Sequence, residues 1–232
     1  PTRSRPGSGG FRTVRGTGLG INGWGFLSKV GNFPSRADGK WIKGLETDQL
    51  MCEAAHRILQ ARLMPIPYWL PLAAENWKES TENVHQLRVS TRRAVEATRI
   101  LSDLIPTAGY EQLRDDLRKL RRAADQARNL DVLLERFAVF ARISRKKPCA
   151  RVIRDIKRRR KKAQKPIVAI RRELDSNGFS DGLNRLLEKV RSQRGGRAKQ
   201  SFSSQASRYL KPATNKFFAA AEADMTDDDM LH

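Results

Sequence analysis

Two neighbouring stretches of this chain carry the same double pattern, which leaves room for little but paired helices. From Tyr110 to Arg145 the residues Leu113, Leu117, Leu120, Ala124, Ala127 and Leu134 recur at steps of three, four and seven, the seam of an α-helix packed in a bundle. Beside that seam Arg114, Arg118, Arg121 and Arg128 repeat the steps, with Asp125 in the gap. Upstream, "NVHQLRVSTRRAVEATRILSDL" sets His85, Arg88, Arg92 and Arg99 at i, i+3, i+7 and i+14. At about 100° per residue these fall on one face. Arg93 flanks the stripe, and the opposite arc holds Leu87, Ala94, Ala97, Leu101, Leu104 and Ile105. Pro106 and Gly109 mark a short break between the two helices, and a short connection makes antiparallel neighbours. The two arginine stripes are therefore expected to line one groove.

Helical periodicity extends over most of the chain. "ETDQLMCEAAHRILQARL" offers Thr47 as a cap and apolar residues at Leu50, Ala54 and Ile58 and at Met51, Ala55 and Leu59; Pro65 and Pro67 end it. A segment around Tyr68 to Lys78 follows, and Ser80 or Thr81 fits the cap of the His85 helix. After Pro148 helices continue, with breaks expected near Pro166 and near Asn177 and Gly178. Residues 191–205 read as a linker from their Gly, Ser and charge, and a last helix is expected over about Ser207 to Asp224. No stretch reads as a strand. Residues 1–44 are rich in Gly, Ser and Arg without periodicity and read as a disordered leader. Their Gly18, Gly20 and Gly23 spell G-x-G-x-x-G, but no apolar strand precedes them, so a dinucleotide fold is set aside. The expected architecture is all-α, an antiparallel helical bundle over residues 45–232 behind that leader.

Charge decides what kind of partner such a bundle meets. The 46 lysines and arginines against 25 acidic residues leave a net charge of +21. Between His85 and Arg172 there are 26 basic residues and nine acidic ones. An excess of that size repels itself in a compact chain unless a polyanion relieves it. Guanidinium groups repeated along a helix face suit phosphate, because each offers a planar fork of donors that never loses its charge. His85 adds a donor when protonated, a form that a nearby polyanion favours. Asp125 and Asp131 lie beside these arginines and are expected to orient guanidinium groups rather than act as bases. The run of six basic residues from Lys157 to Lys162 cannot all face a core, and a solvated basic face accounts for it equally well.

Other functions find little support in the residues. His56, His85 and His232 are the three histidines, and there is no H-E-x-x-H, no Walker loop and no aspartate cluster suited to Mg²⁺. No catalytic residue, metal or cofactor is expected, and binding rather than catalysis is. Cys52 and Cys149 stand far apart, which suggests neither a disulfide framework nor a thiolate metal site. With no apolar run of membrane-spanning length and no signal peptide, a cytoplasmic setting is expected. The rival to a phosphate-polymer binder is an RNA- or nucleoid-binding basic helical protein using the 145–172 run and the leader. The basic helices are poor in the exposed rings that single-stranded recognition uses.

"VHQLRVSTRRAVEATRIL" followed by "LRKLRRAADQARNLDVLLERF" resembles the first half of a CHAD domain, the histidine-containing α-helical domain. Two separated signatures carry the resemblance: His85-x-x-Arg88-Val89-x-x-Arg92-Arg93, then Arg121-Arg122 with Ala127-Arg128-x-Leu130-Asp131. Fainter similarity runs from about Lys40 to the end. The resemblance implies two similar helical bundles about a central basic groove that binds inorganic polyphosphate, often at polyphosphate granules. It would line that groove with His85, Arg88, Arg92, Arg93, Arg121, Arg122 and Arg128, while periodicity alone adds Arg99, Arg114 and Arg118. The resemblance also implies a domain truncated at the start of its second repeat, with His232 standing where that repeat would open. Such a half domain would expose an unpartnered apolar surface, for which the expected outcomes are instability, pairing with another copy, or domain swapping.

Overall fold

The computed structural model describes residues 41–144 and 150–228; Arg145, Cys149, His232 and nearly all of the expected leader fall outside them. The described residues include seven α-helices: α1 (Met51–Leu63), α2 (Pro65–Glu75), α3 (Thr81–Ile100), α4 (Thr107–Ser144), α5 (Ala150–Ser176), α6 (Phe179–Arg191) and α7 (Phe202–Asp228). Among the described residues the only β-type pairing is an isolated antiparallel bridge between Leu50 and Ser201, so the chain is all-α as its periodicity requires.

The core follows the apolar arcs. In α3 Val84, Leu87, Ala94 and Ala97 are buried, and in α4 Leu113, Leu117, Leu120, Ala124 and Ala127 are. Leu134, the last residue of the expected seam, is half-buried. Ser80 caps α3: its Oγ accepts the Glu82 amide at 3.2 Å, which satisfies one of the donors every helix start leaves open. Two inter-helix bonds set the register of α3 against α4. Arg88 Nε donates to Asp125 at 2.6 Å, and Thr81 Oγ1 donates to Glu135 at 3.5 Å. Position rises on one helix as it falls on the other, so the pair is antiparallel.

Three expectations from the sequence change. Pro166 does not break α5, which runs through it. Ile156, Ala163, Ile167 and Leu174 are buried on both sides of it, and the proline lies on the exposed face, where water can take the carbonyl it frees. Packing thus offsets an intrinsic cost of roughly 3 kcal/mol. The stretch expected as a linker is packed. Gly196–Lys199 form a 3-10 turn with Ala198 buried, the Met51 amide donates to the Gln200 carbonyl at 2.9 Å, and the amides of Phe202 and Ser203 reach the carbonyls of Gln49 and Thr47. Those pairings start α1 at Met51, so Thr47 is not its cap, and they start α7 at Phe202. α7 carries exposed Leu210, Phe217 and Phe218.

Candidate functional site

The site is built on the antiparallel pair α3 and α4. With Arg88 bonded to Asp125, His85 comes level with Arg128, and the two lie in one concavity of about 450 Å³ lined also by Arg88, Asn129, Val132, Leu133 and Arg136. Extended along both helices, the same register sets Arg92 level with Arg121 and Arg99 level with Arg114. Asp125 lies between the stripes, accepting from Arg88 at 2.6 Å and facing Arg121 at 4.0 Å. A carboxylate there holds the Arg88 guanidinium in place and cancels only part of the charge of the two arginines.

Several of the stripe arginines carry a carboxylate of their own helix. Arg99 pairs with Glu96 at 2.9 Å, Arg118 faces Asp115 at 3.8 Å, and Arg114 bonds Glu111 at 3.1 Å with its guanidinium 5.9 Å from the Tyr110 ring. Arg128, the last of the α4 stripe, likewise bonds Glu135 of its own helix at 2.9 Å, while Arg92, Arg122 and Arg136 have no carboxylate partner among the described residues. Arg93 and Arg122 follow the stripe residues by one position and flank the line rather than stand on it. Arg93 faces α1: burial first, and then the charge of Arg93, depress the Arg62 guanidinium below its ordinary range.

Asp131 holds a different guanidinium from those expected. It is buried with Arg160 of α5, whose Nε donates to it at 2.6 Å. Arg160 also donates to Gln164 Oε1 at 3.0 Å and stacks 4.7 Å from the Trp77 ring, and Gln164 Nε2 reaches the carbonyls of Ala73 and Ala74. Asp131 is a structural anchor between α4 and α5. Of the run from Lys157 to Lys162, only Arg160 is buried.

Arg136 and Asn129 line the concavity but were not picked out by periodicity. Arg136 lies eight residues after Arg128, about 80° around the helix, and only the position of His85 across the gap brings it into the site. Among the described residues no group of three His, Cys, Asp or Glu side chains is placed to hold a metal ion, and no helix is long and apolar enough to cross a membrane. No curated protein matches the chain. Residues 57–232, three quarters of its length, match the family model described as the CHAD domain, and that stretch contains both motifs and the concavity between them. The chain belongs to the CHAD domain family.

Proposed function

We propose that this chain binds inorganic polyphosphate, without catalysis, in the groove between α3 and α4. One observation carries the reading: His85, Arg88, Arg128 and Arg136, from two helices, open on a single concavity with Asn129. Helix turns repeat every 5.4 Å or so, so arginines at one-turn steps meet successive phosphates of a polymer and bind each through a fork of charged donors. Arg92, Arg121 and Arg122 extend the basic track beyond the concavity. Arginine, protonated histidine and asparagine hold phosphate without supplying a nucleophile, and therefore the proposal is binding and not hydrolysis. On this reading the protein works in the cytoplasm, at polyphosphate granules.

The test is a competition titration of the full chain between long-chain polyphosphate and RNA at matched phosphate concentration, repeated with Arg88→Ala/Arg92→Ala and with His85→Ala. The expected result is a preference for polyphosphate that the double variant abolishes. Its salt slope should fall by about 1.4, from roughly 0.7 per phosphate contact on a single-stranded polyanion. His85→Ala should cost less, because the histidine charge is conditional and the arginine charge permanent. Equal binding of both polymers that survives the double variant would refute the groove.

A further inference from the structure

The α4 and α5 pair runs on past the core. Beyond Asp131 no described residue of α4 is buried, and α5 has none before Ile156. α4 stays beside α3 as far as Glu135, which Thr81 bonds, and the residues from Arg136 to Ser144 run on by roughly 14 Å at 1.5 Å per residue. This free end is apolar as well as basic. Leu133, Val139, Phe140, Ile143 and Val152 are all exposed, Ile143 at 79%. Leu133 and Phe137 of α4 and Val152 and Ile156 of α5 form the floor of an open groove of about 780 Å³. Phe140 follows Leu133 by seven residues and continues that face beyond the groove. Arg151, Arg154, Arg158 and Arg159 also line the groove. Asp155 takes the charge of Arg158 and Arg159 at 2.6 and 2.7 Å, whereas Arg151 and Arg154 have no carboxylate partner among the described residues. From Arg136 to Arg154 the sequence holds seven basic residues and no acidic one.

We propose that this end of the α4 and α5 pair is a membrane-surface docking element that lays its apolar face into an anionic lipid bilayer. A soluble polyanion would neutralise the arginines and leave Ile143, Val139 and Val152 in water. An anionic bilayer meets both halves of the surface at once, with lipid phosphates at the level of the arginines and acyl chains beneath them. The charge complementarity selects this occupant: a surface on which Arg151, Arg154, Arg158 and Arg159 face the single carboxylate of Asp155 repels a second copy of itself. Docking of this kind lies in the interface and needs no spanning helix. It is separate from polyphosphate binding, although Leu133 lines both concavities.

Flotation of the full chain with phosphatidylcholine vesicles, with and without phosphatidylglycerol, tests the proposal. The variants are Ile143→Ser/Val152→Ser and Arg151→Glu/Arg154→Glu, each checked for native helicity by circular dichroism, with Arg88→Ala/Arg92→Ala as a control. The wild type should float only with the anionic vesicles. Each tip variant should lower the partition coefficient about tenfold or more, since two exposed apolar groups or four units of charge are withdrawn from the interface. The Arg88/Arg92 control should float like wild type even if its polyphosphate binding is lost, which separates failure of this proposal from failure of the groove. Undiminished flotation of the Ile143/Val152 variant would reduce the effect to adhesion of charge and overturn the insertion. Absence of vesicle binding, joined to concentration-dependent dimerisation that the same variant abolishes, would overturn it in favour of a second copy of the chain.

Discussion

Removing the Asp131 carboxylate should be among the most costly single changes in this molecule, and the size of the loss can be worked out from its partners. Arg160 is 2% exposed and Asp131 3%, so Asp131→Ala leaves a guanidinium out of water with Gln164 as its hydrogen-bonding companion and the Trp77 face beside it. Breaking a buried ion pair by removing one partner costs about 3–5 kcal/mol. That is a large share of the roughly 5–15 kcal/mol that holds a domain folded. The pair is not thereby a large net stabiliser. Burial pushes the Asp131 carboxyl above its ordinary range, while the Arg160 hydrogen bond and charge pull the other way, so desolvation takes back much of the attraction. The double variant Asp131→Leu/Arg160→Met removes both charges and should recover most of the loss. It should fall short of wild type by about 1–3 kcal/mol for the Gln164 oxygen left without its donor. Urea unfolding of the wild type, both single variants and the double variant closes the cycle, with midpoints compared at constant m. A loss below about 1 kcal/mol for Asp131→Ala would refute the reasoning, because it would mean that water reaches Arg160. A double variant no more stable than the singles would refute it equally.

Two further changes probe the scaffold. Asp116 is buried, with Gln112 Nε2 donating to it at 2.9 Å; burial pushes its carboxyl up, against that bond and the Lys119 charge, with Glu173 and Asp115 adding to the rise. Because the folded state holds the proton more tightly, the stability this group contributes is complete below the ordinary carboxylate range and is lost as pH rises through the raised value. Asp116→Asn keeps an oxygen for Gln112 without the charge. It should match wild type in acid and exceed it in urea midpoint near neutrality; a constant difference across pH would count against the assignment. Ser80→Ala removes the cap of α3 and should cost about 1 kcal/mol, read as a lower urea midpoint at unchanged m.

Much of the helical frame was legible along the chain because an α-helix repeats its own face. The arcs of α3 and α4, the break at Pro106, the Ser80 cap and the antiparallel pairing that a short connection imposes all depend on residues close in sequence. The His85, Arg88 and Arg128 cluster was readable for the same reason: two stripes at one-turn steps on neighbouring antiparallel helices have to come level somewhere. That also explains why the family motifs and the periodicity agreed on these three residues.

What only the tertiary structure decided are matters of which other helix passes nearby. Six consecutive basic residues look alike in sequence, yet Arg160 alone turns into the core, because Asp131, Gln164 and Trp77, residues from three separate segments, surround that position. The same dependence made Asp131 an anchor for α5, brought Arg136 opposite His85, and turned a Gly- and Ser-rich stretch into a packed turn through backbone bonds to residues about 150 positions away. The local repeat of the sequence determined which face of each helix is apolar and which is basic. The choice among like residues on those faces fell to long-range packing, since burial and ion pairing are properties of neighbours that spacing along one helix does not record.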